Sequence, residues 1–381
     1  MTKRRVMVVM GTRPEAIKLL PVVEACKADG MFDVVVVVTA QHREMLDQAL
    51  DLWGCRPDVD LNLMQPGQDP SGVTVAIISA MGTQFRSTRP DVVIVQGDTT
   101  TTFATALAAF YERVPVAHVE AGLRSGRKYA PFPEEMNRRV TSVIADIHFA
   151  PTRRAEQNLL AEGVTAQSIH VVGNTVIDAL FQTKSRIANG TAEAGRLRDK
   201  FPFLGSAKRT VLVTAHRRES FGEGFAEICK GIVDIVAQTD DVQVVYPVHP
   251  NPAVQEAVDR FLRKSSAGTK IHLLDPVSYL ELVYLLDRSY LVLTDSGGLQ
   301  EEGPALGKPV LVMRDVTERP EAVEAGSAKL VGASRERIRT EVLELLSNEA
   351  TYARMAKVAL PFGDGHAASR IAGVLAKVTL T

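Results

Sequence analysis

Short apolar runs rich in valine and isoleucine alternate with helix-like segments along both halves of the chain. The first half carries these runs at Arg5–Met10, Val34–Thr39, Val92–Gln96, Val114–Val119, Ile147–Ala150 and His170–Val172. The second half repeats the pattern at Thr210–Thr214, Gln243–Val248, Ile271–Leu274, Tyr290–Thr294, Pro309–Met313 and Lys329–Val331. Continuously apolar strands need helices over both faces, so the pattern predicts an α/β protein built on doubly wound parallel sheets.

The chain of 381 residues is longer than one hydrophobic core usually organises. We therefore expect two Rossmann-like domains facing a central cleft, the first at residues 1–172 and the second at 173–366, with a hinge near Gly173. The final segment, residues 367–381, has an apolar helical pattern and is expected to return to the first domain.

In open parallel sheets ligands bind beyond the carboxyl ends of the strands, and the turn after the first strand is polar. Thr12 and Glu15 have the spacing of a capping box, and Pro14 suits a first helical turn. Capping does not explain Arg13 or Lys18, which can meet a phosphate, although solvent exposure fits them equally well. The turn lacks a Gly-x-Gly-x-x-Gly fingerprint, so no dinucleotide cofactor is expected there.

Three further strand ends of the first half carry carboxylates. Asp98 opens a helix beside four threonines, where an N-cap role is the alternative, and Glu120 ends the strand Val114–Val119. Glu134 and Glu135 follow in a proline-rich loop. Carboxylates brought together from neighbouring strand ends shift one another's pKa, which suits them to acid and base roles.

In the second half, His216 and Arg217 directly follow a strand, a cluster typical of a phosphate site, whereas His249 alone indicates only a turn. After the strand that ends at Thr294, Ser296 is expected to cap a helix while Gly297 and Gly298 leave its first N–H groups open to a phosphate. Glu302 in the first turn can complement the helix dipole or bind a ribose diol, and Arg319 is expected beside the same pocket.

Charge and composition exclude several classes of protein. The formal net charge of −1 gives no global positive field, so no nucleic-acid partner is expected. The three cysteines, Cys26, Cys55 and Cys229, are widely spaced and odd in number, which predicts free thiols and no metal site. No apolar run is long enough to span a bilayer and no cleavable leader is recognisable, so we expect a cytoplasmic protein without membrane association.

Taken together, these motifs resemble the non-hydrolysing UDP-N-acetylglucosamine 2-epimerases over almost the whole chain. The segments that carry the resemblance are Gly11–Lys18, Thr39–Arg43, Gly97–Thr101, His118–Arg124, Pro133–Glu135, His216–Glu219, Thr294–Glu302 and Thr317–Ala322. The resemblance implies a glycosyltransferase-B-like fold, a UDP-sugar substrate, no cofactor and a homodimer. It also implies a product that feeds the synthesis of cell-surface polysaccharide.

The resemblance assigns roles to individual residues. It implies a catalytic group of Asp98, Glu120, Glu134 and His216, and a substrate-binding group of Arg13, Lys18, Ser296, Gly297, Gly298, Glu302 and Arg319. Relatives that bind a second, activating UDP-N-acetylglucosamine use residues like Gln41, His42, Arg217 and His249. The chain departs from the family at Val277 and Leu282, where glutamine and phenylalanine usually contact uracil, and at Gly67 and Glu44 in the activating site.

The reaction that the resemblance implies is epimerisation at C2 of the sugar. UDP leaves C1 while a carboxylate removes the C2 proton to give 2-acetamidoglucal, and a proton returned to the opposite face with re-addition of UDP gives UDP-N-acetylmannosamine. Because the proton leaves one face of C2 and another proton arrives on the opposite face, more than one carboxylate is needed. The sequence leaves open which carboxylate is the acid and which is the base. The alternatives are a hydrolysing 2-epimerase, a relative acting on a diacetamido uronic acid nucleotide, a glycosyltransferase of the same fold, and a non-catalytic UDP-sugar sensor.

Overall fold

The computed structural model describes residues 3–39, 43–64, 68–217, 221–265 and 268–379, with the side chains of residues 43 and 44 excepted. Backbone contacts divide the chain into two compact units, one formed by Met1–Phe181 with Phe362–Thr381 and the other by Gln182–Pro361. This boundary falls later than the position near Gly173 expected from the sequence, because a helix that begins at Thr175 belongs to the first unit over its first turns.

The first unit contains a seven-stranded sheet. Its strands are β1 Arg4–Met10, β2 Phe32–Val38, β3 Val59–Asp60, β4 Val92–Gln96, β5 Val116–Val119, β6 Ile147–Ala150 and β7 Ile169–Val171. Its helices are α1 Arg13–Asp29, α2 Arg43–Leu52, α3 Pro70–Thr88, α4 Thr100–Tyr111, α5 Glu134–Ile144, α6 Arg153–Ala161 and α7 Thr175–Asn189, which continues into the second unit. Strand β3 was not expected, because a run of two residues is too short to show a pattern.

The second unit contains a six-stranded sheet. Its strands are β8 Arg209–Thr214, β9 Val242–Pro247, β10 Ile271–Leu274, β11 Leu291–Thr294, β12 Val310–Val312 and β13 Ala328–Leu330. Its helices are α8 Thr191–Lys200, α9 Glu223–Ala237, α10 Pro252–Val258, α11 Tyr279–Arg288, α12 Leu299–Ala305, α13 Pro320–Glu324, α14 Arg335–Ser347 and α15 Glu349–Met355.

Both sheets have the same doubly wound order. It runs β3-β2-β1-β4-β5-β6-β7 in the first unit and β10-β9-β8-β11-β12-β13 in the second, and every neighbouring pair is parallel. The central strands are buried on both faces, as parallel sheets require, and valine, isoleucine and leucine from strands and helices form the core of each unit. The fold class predicted from the sequence, two Rossmann-like parallel-sheet domains, is confirmed.

The last helix, α16 Ala367–Lys377, lies in the first unit and contacts α1. The buried carboxylate of Asp178 in α7 accepts hydrogen bonds from the amides of Ala367 at 3.2 Å and Ala368 at 2.8 Å. A carboxylate at a helix N-terminus satisfies open N–H groups and complements the helix dipole, so Asp178 fixes the start of α16. No helix in the described part of the chain is both long and apolar enough to cross a membrane.

Candidate active site

The carboxyl ends of β4 and β5 bring two of the predicted carboxylates to one edge of the first sheet. Gln96 pairs with Val119, so Asp98 and Glu120 leave the sheet side by side. Glu120 has a φ of 64°, a left-handed conformation that is uncommon outside glycine. Such a backbone persists where surrounding contacts hold it, and it is frequent at functional sites.

Glu120 is buried and held by donors from three different elements. Its Oε2 lies 2.5 Å from the Lys18 ammonium and also accepts from the Gln96 amide, and its Oε1 accepts from Asn174 Nδ2 at 3.0 Å. Lys18, expected from the sequence to meet a phosphate, is therefore ion-paired with a predicted catalytic carboxylate. Sequence reasoning assigned no role to Gln96 or Asn174, because a single amide at or beyond the end of a strand gives no pattern of its own.

Asp98 is tied to the first turns of α5. The N-cap of α4 is Thr99, whose side chain accepts from the Thr102 amide at 3.1 Å, so the alternative that Asp98 only caps this helix is wrong. Instead, the Asp98 carboxylate accepts a hydrogen bond from the buried Arg138 guanidinium, and its carbonyl accepts from Asn137 Nδ2 at 3.0 Å. These contacts bring Asp98 close to the helix that Glu134 begins.

Glu134 and Glu135 differ in their surroundings. Glu135 is buried, accepts from the amides of Ser125 at 3.0 Å and Gly126 at 3.3 Å, and lies 3.4 Å from Arg138. Glu134 has a buried Oε2 that no group in the described part of the chain hydrogen-bonds. The structure thus gives Glu135 a role in holding the loop and leaves Glu134 with an oxygen available to a ligand.

The turn between β1 and α1 is fixed by Glu15. The capping box of Thr12 and Glu15 is present as predicted. In addition, Glu15 Oε1 accepts from the Thr99 hydroxyl at 2.6 Å, which ties this turn to the one that carries Asp98. Burial raises the pKa of Glu15, while hydrogen bonds from Thr99, Thr12 and Gly11 oppose that rise. Arg13 is half-buried, which lowers its pKa, so the alternative that it is fully exposed to solvent is wrong.

His118 lies beneath the same sheet edge. It is fully buried, and its Nε2 lies 2.7 Å from the carbonyl oxygen of Gly97. Burial lowers the pKa of His118 to about 3, so the ring is neutral at physiological pH and donates to that carbonyl. His118 therefore braces the turn at Gly97, whose φ is 75°, immediately before Asp98.

In the second unit, His216 follows β8 and lies against Asp295, which follows β11. The fully buried Asp295 accepts hydrogen bonds through Oδ2 from the amides of His216 at 2.6 Å and Arg217 at 2.7 Å. Its Oδ1 lies 3.2 Å from His216 Nδ1. The ring of His249 stacks on that of His216, with centroids 5.5 Å apart and an interplanar angle of 15°. The sequence had placed these residues in separate motifs.

The segment after β11 corrects one expectation. The N-cap of α12 is Gly298, without a side-chain hydrogen bond, so the prediction that Ser296 caps this helix is wrong. The Ser296 amide instead donates to the Thr294 hydroxyl at 2.9 Å, which holds the chain in a turn one residue before the glycines. A Cβ on Gly297 would lie 2.8 Å from Arg319 Nη1, so only glycine lets this backbone approach the guanidinium closely.

Arg319 belongs to a buried network of charges. Its Nε donates to Glu301 at 2.5 Å and its Nη1 to Glu318 at 2.9 Å. Glu318 also accepts from Arg314 at 2.8 Å and lies 3.8 Å from Arg217. Burial raises the pKa of Glu318, but the three arginines outweigh it and hold this pKa well below its usual range. The network fixes Arg319 against Gly297, as the sequence expected of a residue beside the glycine turn.

Glu302 lies in the first turn of α12 and is buried. The hydroxyl of Tyr279 donates to its Oε1 at 2.7 Å, and burial together with the Glu302 carboxylate raises the pKa of Tyr279. Helix α11 begins with a capping box of Ser278 and Glu281. Val277 and Leu282, where the chain departs from the family, lie directly before the N-cap and at the fourth residue of the helix. These are the two positions at which a pair of apolar residues commonly stabilises the start of a helix.

Of the predicted activating residues, Gln41 and His42 lie outside the described residues, as does Gly67. Arg217 and His249 are described, and both adjoin His216 through the contacts given above. No group of three His, Cys, Asp or Glu side chains in the described ranges is arranged to hold a metal ion.

Comparisons with known proteins bear on this arrangement. A sequence model described as UDP-N-acetylglucosamine 2-epimerase matches residues 24–376. The UDP-N-acetylglucosamine 2-epimerase of Escherichia coli K12 is 52% identical over 367 residues, 96% of this chain and 97% of that protein. The crystal structure of UDP-GlcNAc 2-epimerase from Neisseria meningitidis bound to UDP-GlcNAc superposes with a TM-score of 0.94 at 44% identity, covering 98% of this chain and 100% of that one.

A more distant structure shares the fold alone. Anabaena HepE, in complex with UDP and glucose, has a TM-score of 0.64 at 16% identity and covers 98% of this chain and 99% of that one. The family match and the E. coli protein extend over nearly the whole length and are far more similar. The chain therefore belongs to the UDP-N-acetylglucosamine 2-epimerase family.

Proposed function

We propose that the protein interconverts UDP-N-acetylglucosamine and UDP-N-acetylmannosamine by eliminating and re-adding UDP. The observation that supports this most is the group of carboxylates at the β4–β5 edge, where Glu120 is held by Lys18, Gln96 and Asn174 and Asp98 is held by Arg138. Carboxylates fixed by cations and amides are suited to moving a proton on and off carbon without a redox cofactor.

The C2 hydrogen of the sugar is not acidic in the intact substrate. As the C1–O bond to UDP breaks, positive charge on the ring acidifies it, and a carboxylate removes the proton while the C2–H electrons form the C1–C2 double bond. The products of this step are 2-acetamidoglucal, UDP and a protonated carboxyl group. A proton delivered to the other face of C2, with attack of UDP on C1, completes the epimerisation.

In this proposal the first unit acts on the sugar. Asp98, Glu120 and Glu134 share the acid and base roles, and inversion requires that at least two of them work on opposite faces. The buried Oε2 of Glu134 supports a direct role, because in the described part of the chain it has no partner of its own. Arg13 and Lys18 supply positive charge for the departing diphosphate.

The second unit binds the nucleotide in this proposal. Gly297 and Gly298 offer backbone N–H groups and Ser296 offers its hydroxyl, while Arg319, fixed by Glu301 and Glu318, supplies a positioned guanidinium for the diphosphate. Glu302 receives the ribose diol, and His216 stabilises the charge that develops on the leaving phosphate.

We also propose that Arg217 and His249, together with Gln41 and His42, bind a second, activating nucleotide sugar. The positions of Arg217 and His249, the two of these residues that the structure describes, support this proposal. Arg217 shares Asp295 with His216 through its backbone amide, and His249 stacks on the His216 ring. A ligand on these residues would act directly on the group that meets the leaving phosphate.

Homodimer formation is proposed from an exposed apolar face on α4 and α5. The face consists of Phe103, Leu107 and Phe110 on α4 and Met136, Val140 and Val143 on α5. Both sets have the spacing of one helix side, and α4 packs against α5. Phe110 is 61% and Val143 85% exposed, and the other four are half-buried. Apolar side chains exposed on neighbouring helices are typical of a protein–protein contact, here with a second copy of the chain.

A cytoplasmic location is proposed from the cysteines. Cys26, Cys55 and Cys229 are all free thiols, two of them buried. Unpaired cysteines are usual in a reducing compartment, whereas secreted proteins mostly pair them.

The proposed activity is tested by identifying the products formed from UDP-N-acetylglucosamine. A UDP-N-acetylmannosamine signal that reaches equilibrium with substrate, with no accumulation of free sugar, is the expected NMR result. Release of UDP and N-acetylmannosamine in equal amounts would instead show a hydrolysing enzyme. The Glu120→Gln variant is the matched control, because it keeps the size of the side chain while removing its charge.

A further inference from the structure

The Asp295 side chain makes two different kinds of contact. Through Oδ2 it accepts the amides of His216 and Arg217 at 2.6 and 2.7 Å, which fixes the backbone after β8. Its other oxygen, Oδ1, is buried and receives no hydrogen bond from any residue that the structure describes. His216 Nδ1 lies 3.2 Å from Oδ1, but the two atoms are not aligned as a hydrogen bond.

The two atoms are already within hydrogen-bond distance, so only the orientation of the imidazole keeps this contact from being a hydrogen bond. The His216 ring is 41% exposed, so one side of it is not packed in, whereas the Asp295 side chain is fully buried and fixed by two amides. An ionised oxygen without a donor in the interior is costly, and an Nδ1–H group aimed at Oδ1 removes that cost. The ring is therefore driven towards the tautomer that carries its proton on Nδ1.

We propose that Asp295 is a positioning residue of the reaction, which holds His216 with its proton on Nδ1 and so assigns Nε2 to the substrate. The inference rests on the proposed function for the role of His216 at the leaving phosphate. With Nδ1–H directed at Asp295, Nε2 takes up a proton from solvent when the diphosphate binds. The imidazolium keeps this proton and donates a hydrogen bond through Nε2–H to a phosphate oxygen. The buried carboxylate stabilises the imidazolium while that hydrogen bond lasts.

The neighbouring histidine has the opposite arrangement. His249 Nδ1 accepts a hydrogen bond from the Asn251 amide at 3.1 Å, so a neutral His249 carries its proton on Nε2. The stacked rings of His216 and His249 are thus expected to be opposite tautomers. The Asp295 carboxylate determines the tautomer of His216, and the Asn251 amide determines that of His249. His249 serves as an internal control for the measurement on His216.

A purely structural role for Asp295 makes a different prediction. If only the bonds through Oδ2 matter, Asp295→Asn should behave like the native protein, because the amide oxygen can accept both backbone N–H groups. If the contact through Oδ1 matters, the asparagine NH₂ group faces His216 Nδ1 and donates to it. The proton on the neutral ring then moves to Nε2, and the imidazolium loses its counter-charge.

The test is nitrogen-15 NMR of the full-length protein with labelled histidine, recorded at a pH where the rings are neutral. The chain has eight histidines, and the His216→Gln and His249→Gln variants identify the two signals of interest. We expect a protonated Nδ1 at His216 and a protonated Nε2 at His249. In Asp295→Asn the His216 pattern should reverse, the His249 pattern should stay, and kcat for C2 exchange should fall at least about tenfold.

Each outcome decides the proposal. A His216 that carries its proton on Nε2 in the native protein overturns it without any variant, so the test survives a variant that fails to fold. An unchanged His216 signal in a folded Asp295→Asn protein also overturns it. Because the tautomer is read from the spectrum and not from turnover, a protein that proves not to epimerise still reports on Asp295.

Discussion

Glu134 and Glu135 are neighbours in the first turn of α5, yet the protein holds only the carboxylate of Glu135 on both of its oxygens. Glu135 accepts from two loop amides, at 3.0 and 3.3 Å, and faces Arg138. The Oε2 atom of Glu134 is buried without a hydrogen-bond partner in the described ranges. A buried oxygen left open at a helix N-terminus is costly unless a ligand uses it.

This difference predicts opposite effects for two matched substitutions. Glu134→Gln should lower kcat by about 100-fold or more, since acid–base groups contribute on that scale, with little change in unfolding free energy. Glu135→Gln should instead destabilise the fold by roughly 1–3 kcal/mol, because it removes the charge that Arg138 and two amides depend on. Turnover and urea unfolding of both variants measure the contrast. A stable Glu134→Gln enzyme with native kcat would exclude Glu134 from the chemistry.

The role of Glu302 is separable from that of the phosphate site. Glu302→Gln should weaken UDP binding roughly tenfold, the usual effect of losing a hydrogen bond to a charged group, and should leave a UDP analogue without ribose hydroxyls unaffected. Glu301→Gln, which removes the charge from one of the two carboxylates that hold Arg319, should weaken both ligands to the same degree. Titration calorimetry with the two ligands gives the comparison. An equal loss for both ligands in Glu302→Gln would contradict a ribose contact.

His118 gives the stability of the protein a predictable dependence on pH. Its folded pKa is about 3, against an ordinary value of 6.5, so between these values the unfolded chain binds the extra proton. The stability it contributes is present above pH 6.5 and is lost as the pH falls towards 3. Over that window one proton corresponds to about 1.4 kcal/mol per pH unit. Between pH 6.5 and 5, the unfolding free energy of the native protein should therefore fall more steeply than that of His118→Gln. Parallel slopes would show that His118 is not buried as a neutral ring.

The apolar face of α4 and α5 predicts how the chain assembles. Val143→Glu places a charge at its most exposed position, so it should convert a dimer to a monomer, as light scattering after gel filtration would show. Val358→Glu is the control, because Val358 is 64% exposed and belongs to the second unit, whereas α4 and α5 belong to the first. A native protein that is itself monomeric at micromolar concentration would remove the basis for this interface.

The sequence was sufficient to predict the fold, because valine-rich strands in a doubly wound order leave a pattern that is hard to produce otherwise. It also singled out Asp98, Glu120 and His216 as candidate site residues, since polar residues directly after buried strands stand out. The partners were not predictable in the same way. Gln96 and Asn174 are 78 positions apart, and only folding brings both of them to Glu120.

Local competition explains the errors at helix starts. Ser296 was expected to cap α12, but the Thr294 hydroxyl binds the Ser296 amide and the helix begins after Gly298. By residue type Asp98 was an equally good N-cap, but Thr99 is the N-cap of α4 and the Asp98 carboxylate binds Arg138 instead. Serine, threonine and aspartate all compete for caps, and the tertiary partners that decide between them are distant in sequence.

The central claim is that a carboxylate removes the C2 proton of a nucleotide sugar, and one measurement tests it most directly. The protein is incubated with UDP-N-acetylglucosamine in deuterium oxide and C2 is followed by proton NMR. We predict that deuterium enters C2 of the intact UDP-sugars, and that Asp98→Asn and Glu120→Gln abolish this exchange while UDP still binds. Conversion to UDP-N-acetylmannosamine that retains the original hydrogen at C2, or no exchange in an enzyme that binds UDP, would contradict the account.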